Sequence, residues 1–278
     1  MAVAFDKASS ITMFFRADTG VFDLPALLDL RACAGGLLAR VSRQRTSLGQ
    51  HMANPEARTL ITATVKRFFK SSLPDLFAER FGKQPALNLI FTTIRLQEPD
   101  LPTSRVGWHI DFNFMGDTVP FLVAWTPLED VGETRIGLDI CVPTTPPSMA
   151  SMLGPWQARS AKGDSLEFSD DDLDGIFGSG GYQVRSLRLP AGSSAVFDQF
   201  VFHRTQNLAR ATEARHSFEF RMVDLDALPA SWRHRTAFFC RRCPNSEDNI
   251  QFLIKRDDGP PRPVDDSELD ALNIKMHG

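Results

Sequence analysis

Apolar residues recur at helical spacing through the first third of the chain. Across 24–45 they fall at Leu24, Leu27, Leu28, Leu37, Leu38 and Val41, which predicts a helix interrupted by Arg31 and kinked or broken at Gly35-Gly36. Asn54-Pro55-Glu56 has the form of a helix start, with Asn54 as cap and Pro55 in the first turn, and the helix it opens runs to about Phe69. A shorter helix is expected over 73–81, before Gly82. From Ala86 the pattern changes to runs rich in β-branched and aromatic residues. They predict strands over 87–96, 106–114, 119–125, 136–142, 183–189, 194–203 and 214–223, with late strands over 237–240 and 249–255. Pro99-Asp100, Gly116-Asp117 and Asp130-Val131-Gly132 supply turns between them.

The region from Thr144 to Gly181 is looser. It holds Thr144-Thr145-Pro146-Pro147, a candidate helix over 148–159, the acidic run Asp170-Asp171-Asp172 and Gly178-Ser179-Gly180-Gly181. That composition reads as an insertion or lid, or as a solvated loop. Helices first and then many short strands argue for an antiparallel barrel or double sheet with helices on one face. One domain is expected: a mostly helical part over 1–85, a strand core over 86–225 with the 144–182 insertion, and a C-terminal extension over 226–278 that ends irregularly or in a short helix.

Composition narrows the function. With 278 residues, 42% hydrophobic and 23% charged, the chain can bury a sizeable core. A net charge of −3 gives no footprint for nucleic acid or an anionic membrane. No run reaches the apolar length of a membrane span, and Met1-Ala2-Val3-Ala4-Phe5-Asp6-Lys7 lacks a basic segment followed by an apolar one, so a cytoplasmic protein is expected. Cys33, Cys141, Cys240 and Cys243 are too few and scattered for a disulfide framework. Cys240-Arg241-Arg242-Cys243 has no partner pair, and free thiols are the expectation.

Candidate chemistry sits in Gly107-Trp108-His109-Ile110-Asp111-Phe112-Asn113-Phe114. In a strand, His109 and Asp111 project together while Trp108, Ile110 and Phe112 turn the other way. An imidazole and a carboxylate on one face suit a divalent metal, and they equally suit a hydrogen-bonded pair. A third ligand is available in His203, which ends the strand-like run after the turn Pro190-Ala191-Gly192. Twelve residues on, Arg215 opens a run in which Arg215, Ser217, Glu219 and Arg221 share one face, and His216, Phe218, Phe220 and Met222 the other. Arg215 and Ser217 together can fork a carboxylate, with Arg221 as a competitor.

His109-X-Asp111, then His203 after a glycine-turn strand, then Arg215, resembles the iron(II)/2-oxoglutarate-dependent dioxygenases, specifically their phytanoyl-CoA dioxygenase-like branch. The flanking Trp108-His109-Ile110-Asp111, Ala124-Trp125-Thr126-Pro127-Leu128-Glu129-Asp130 and Phe202-His203-Arg204-Thr205-Gln206-Asn207 share the likeness. The resemblance covers about 87–222. It implies an α+β, mainly β fold, a double-stranded β-helix or jelly-roll barrel of cupin type with helices on the larger sheet. It also implies a hydroxylase whose His109, Asp111 and His203 hold Fe(II) and do the catalysis. Arg215, Ser217, Trp125 and Thr93 would take 2-oxoglutarate, and O2 would be consumed with release of succinate and CO2. Asn113, Arg95 and Gln97 are candidates for contact with a small-molecule substrate, in a monomer or homodimer that binds neither nucleic acid nor membrane. Two other classes fit the same residues: a non-catalytic jelly-roll binding protein, and a cupin-like metalloenzyme that does not use 2-oxoglutarate.

Overall fold

The computed structural model describes residues 13–101, 105–114, 119, 121–162, 166–228, 236–243, 246–256 and 259–271. Strand β1 (Phe15–Asp18) leads into α1 (Leu24–Leu38), β2 (Arg45–Ser47), α2 (Pro55–Lys70) and α3 (Leu73–Phe81). Helix α2 starts as the sequence predicts, with Pro55 in its first turn and Asn54 accepting from the Ala57 N–H at 2.9 Å. The break expected at Gly35-Gly36 does not occur, and α1 runs on to Leu38. Gly36 has a packing role instead. A Cβ there would lie 2.7 Å from Cδ1 of Leu60, so the missing side chain lets α1 and α2 approach closely.

The strand core follows as β3 (Ala86–Asn88), β4 (Thr93–Gln97), β5 (Phe121–Pro127) and β6 (Leu138–Pro143). Helices α4 (Met149–Lys162) and α5 (Asp170–Phe177) come next, then β7 (Tyr182–Ser186), β8 (Ser194–Asp198), β9 (His203–Thr205) and β10 (Arg215–Val223). The described chain closes with β11 (Thr236–Cys243), β12 (Ser246–Arg256), β13 (Arg262–Pro263) and α6 (Asp266–Asp270). A large antiparallel sheet has the order β1-β8-β5-β10-β3-β11-β12-β13, with β4 also on β10 and β2 on β4; a smaller sheet has the order β7-β6-β9.

Alternation on the strands builds the layers. Phe218, Phe220 and Met222 of β10 face outward onto Leu30, Phe68 and Phe77 of the helices. Val123, Trp125 and Phe197 face inward and meet Leu138 and Ile140 of the small sheet. A third cluster packs α4 and α5 against Trp108, Ile110, Phe112 and Phe202. This is the expected jelly-roll with helices backing its larger sheet.

Three of the predicted strand runs depart from expectation for a local reason. The run 87–96 breaks after Asn88, whose side-chain oxygen accepts from the N–H groups of Ile90 and Phe91 at 3.1 and 3.3 Å and turns the chain. The run 194–203 ends at Asp198, which accepts from Phe200 N–H at 3.0 Å, so the chain crosses from the large sheet to the small one before His203. The run 106–114 is not a strand: only Trp108 and His109 form bridges, to Phe168 and His203, and Asp111–Phe114 is a 3-10 turn. Its apolar alternation reflects burial against α4 and α5, because β9 offers only three residues to pair with.

The expected helix over 148–159 is α4. The acidic run is the first turn of α5, capped by Ser169, whose hydroxyl accepts from Asp172 N–H at 3.1 Å while the Asp172 carboxylate accepts from Ser169 N–H at 2.7 Å. Strands β1 and β2 carry no strand prediction. No described helix is long and apolar enough to cross a membrane.

Candidate metal centre and anion pocket

His109 and His203 are joined by two backbone hydrogen bonds of 3.0 Å, which pin the loop before Asp111 to the edge of the small sheet. Their rings lie with centroids 4.1 Å apart. Nδ1 of His109 is 2.9 Å from the Gly107 carbonyl oxygen and Nδ1 of His203 is 3.0 Å from that of Val201. A carbonyl can only accept, so each Nδ1 carries the proton and each Nε2 presents its lone pair. Asp111, 1% exposed, reaches them from the 3-10 turn, with Oδ2 4.0 Å from Nε2 of His203. One ligand atom from each of the three residues lies within 4.8 Å of the others. Among the described residues this is the one group of three or more His, Cys, Asp or Glu so placed. The expected face-sharing of His109 and Asp111 on a strand is therefore replaced by a bridge followed by a turn, which brings the same atoms together.

Charge keeps the three groups in ligand form. Burial, and then His203 beside it, pushes the His109 imidazolium pKa down to about 4, so the ring is neutral at ordinary pH. Burial works to raise Asp111, but Arg221 and the two imidazoles outweigh it and hold the carboxyl below its usual range. Arg221 donates from Nη2 to both Asp111 oxygens at 3.2 Å. Two imidazoles that turn Nδ1 to backbone carbonyls and one carboxylate fit a divalent iron that keeps further positions open.

The triad lines a partly open cavity of about 120 Å³. Arg215, 1% exposed, reaches into it from β10. Its guanidinium lies 4.8 Å above the Trp125 ring, Nε donates to the Ile136 carbonyl at 2.5 Å and Nη1 to the Ser217 hydroxyl at 2.6 Å. Burial, and next the charge of Arg95, lower its pKa to about 9, so it stays charged at neutral pH. Cross-strand register gives the spacing. Arg221, Val123 and Phe197 form one row, with the Phe197 ring 4.5 Å from His203, and Glu219, Trp125 and Ala195 form the next. Adjacent same-face rows on a strand are about 7 Å apart. The three candidate metal ligands and the Arg215 guanidinium over Trp125 line the same cavity.

Of the remaining sequence candidates, Thr93 and Arg95 both turn onto Glu219: Thr93 Oγ1 donates to it at 2.9 Å, and Arg95 forms an ion pair with it, Nε to Oε1 3.6 Å. Gln97 lies across the ladder from Arg215 but its amide donates to the Glu98 carbonyl at 3.4 Å and it does not line the cavity. The side chain of Asn113 lies outside the described residues. Sequence reasoning passed over Glu219 and Arg45, which both border the cavity. Four polar side chains on one face of the otherwise apolar β10 were the available signal. The cysteines are free: Cys33, Cys141 and Cys240 are buried, Cys243 half-buried. A larger open groove of about 870 Å³ beside Lys83, Asp224 and Arg241 contains none of the triad.

Helix α5 is fastened beside both histidines. Asp170 accepts from Trp108 Nε1 at 2.6 Å and from Arg204 Nη1 at 3.1 Å, and the Arg204 guanidinium lies 4.3 Å over the Trp108 ring.

Solved structures share this fold. EctD from S. alaskensis, solved with 2-oxoglutarate and 5-hydroxyectoine, matches with a TM-score of 0.53 at 11% identity, over 81% of this chain and 75% of that one. The apo form of EctD matches at 0.50 and 13% identity, over 81% and 76%. The chain has the EctD fold. HygX from Streptomyces hygroscopicus, solved with nickel and 2-oxoglutarate, is more distant, with a TM-score of 0.48 at 13% identity over 76% of this chain and 83% of that one. No protein-family profile matches the sequence, and no curated protein matches it by sequence.

Proposed function

We propose that the protein is a non-haem iron(II) and 2-oxoglutarate-dependent oxygenase that oxidises a C–H bond of a small organic molecule, with O2 consumed and succinate and CO2 released. The observation that carries this reading is one cavity lined by His109, Asp111 and His203 and by a buried Arg215 guanidinium that lies over Trp125. When bound, iron with its cosubstrate supplies the oxidising chemistry.

The chain's own residues do the rest. The two imidazoles hold the metal through Nε2, and the backbone carbonyls of Gly107 and Val201 keep their tautomers fixed. Arg221 keeps Asp111 ionised and oriented. Arg215, steadied by Trp125 and by the Ile136 carbonyl, takes the distal carboxylate together with Ser217. Val123, Leu138 and Phe197 exclude water from the space between. Helix α5, held by Asp170 to Trp108 and Arg204, braces the two histidine-bearing segments from outside the cavity.

Anaerobic titration with Fe(II), with and without 2-oxoglutarate, tests the reading. A weak visible metal-to-ligand band is expected only when both are present. A folded protein that shows none contradicts it, and metal binding without any effect of 2-oxoglutarate favours a cupin-like metalloenzyme.

A further inference from the structure

Four guanidinium groups border the cavity against two carboxylates, Asp111 and Glu219. Two of the four have assigned work: Arg221 pairs with Asp111, and Arg215 sits over Trp125. The other two lie side by side. In the pairing of β2 with β4, Arg45 stands opposite Arg95, and in that of β4 with β10, Arg95 stands opposite Ser217. They form a lateral row that ends at the strand carrying Arg215.

Both turn to the same carboxylate. Nε of Arg95 is 3.6 Å from Oε1 of Glu219 and Nη2 of Arg45 is 3.9 Å from Oε2, while Nη1 of Arg221 also lies 3.4 Å from Oε2. One carboxylate therefore serves three guanidiniums. Burial opposes ionisation of Glu219, but Arg95, Arg45 and Arg221 outweigh it and hold the carboxyl far below its usual range.

A divalent metal and a doubly charged cosubstrate bring no net charge between them. Counted over these lining residues, the loaded cavity thus keeps four guanidiniums against two carboxylates, with Arg45 and Arg95 sharing Glu219 with Arg221, an arrangement that favours the arrival of an anion. Exposure marks the direction of approach. The Arg45 side chain is 43% exposed, whereas Arg215 and Arg221 are buried, so the excess charge lies at the opening.

On the reading of the site given above, we propose that Arg45 and Arg95 form a second anion subsite, positioned by Glu219, and that the molecule oxidised carries a carboxylate or phosphate group which they bind. Val106 and Leu138 line the same cavity and give the remainder of that molecule an apolar seat.

The test uses protein loaded anaerobically with Fe(II) and saturating 2-oxoglutarate, titrated with benzoate, phenyl phosphate and benzamide while the visible band is followed. At least one anion should perturb the band saturably without displacing 2-oxoglutarate, and benzamide should not. Arg45→Gln should raise the half-saturating concentration roughly tenfold or more, and Arg45→Lys should recover part of the loss. Whichever anion binds more tightly separates a carboxylic acid from a phosphate ester. Equal responses to benzoate and benzamide, no response to either anion, displacement of 2-oxoglutarate, or an unchanged Arg45→Gln variant would each overturn the proposal. A wild-type protein without a 2-oxoglutarate-dependent band overturns the reading of the site, and the anion subsite with it.

Discussion

On β10, Phe218, Phe220 and Met222 point to the helices, while Arg215, Glu219 and Arg221 line the cavity, with Ser217 on their face. The two faces are comparably buried: Phe220 and Met222 are 0% exposed, Arg215 1% and Arg221 2%. What differs is how burial is stabilised. The outer face gains from apolar area, which is non-directional and accepts substitutes of similar volume. On the inner face the buried charges are held by named polar partners, Arg221 by Asp111 and Glu219 and Arg215 by the Ile136 carbonyl and the Ser217 hydroxyl, so removing one group leaves another buried without its partner. A strand with one such face is a scaffold on the helix side and a site on the other.

The comparison breaks most directly at Arg221. Arg221→Met keeps much of the volume but strands Asp111 and takes one of three cations from Glu219, and it should lower unfolding free energy by about 3–5 kcal/mol in chemical denaturation. The neighbouring outward substitution, Met222→Leu, should cost less than about 1.5 kcal/mol. Equal losses in the two variants would remove the distinction between the faces.

Acid titration of the metal-free protein gives a somewhat smaller effect. Burial holds the His109 pKa near 4 in the folded protein against an ordinary value of 6.5, so the unfolded chain takes up its proton first and stability falls as pH drops through that window, by roughly 3 kcal/mol. Asp198, at the end of β8, runs the other way. Burial raises its pKa to about 6, so protonation favours the folded state as pH falls from 6 towards 3.8, by a similar amount. The two nearly cancel, and wild type should change little across pH 6.5 to 4 from these groups. Asp198→Asn removes the compensation, and its stability should fall more steeply than wild type over that range. Parallel profiles for the two proteins would contradict the opposed titrations.

Much of the scaffold was legible in the sequence because its signals are local. Asn54-Pro55 starts α2 as read, and the alternation of Phe218, Phe220 and Met222 with Arg215, Ser217, Glu219 and Arg221 divides β10 correctly. The spacing of His109, Asp111, His203 and Arg215 pointed to residues that the fold does bring to one cavity. What was hidden depends on pairing between distant segments. Strand β2 has three residues and is defined only by its register against β4, so Arg45 could not be placed beside Arg95. Glu219 gained meaning only when β4 and β10 were side by side. The geometry of Asp111 was misread because burial against α4 and α5 imitates the alternation of a strand. Asp111 also turns out to be the counter-ion of buried Arg221, so Asp111→Ala should cost stability as well as a metal ligand.

The central claim is that the inner face joins a metal triad to a carboxylate anchor, and calorimetric titration of 2-oxoglutarate into protein with and without Mn(II) as a redox-inert stand-in measures that junction. Binding should require the metal, and Arg215→Gln should weaken it roughly tenfold to hundredfold, as expected for loss of a charged hydrogen-bond donor. Binding that is equally tight without metal, or unchanged in Arg215→Gln, would contradict the account.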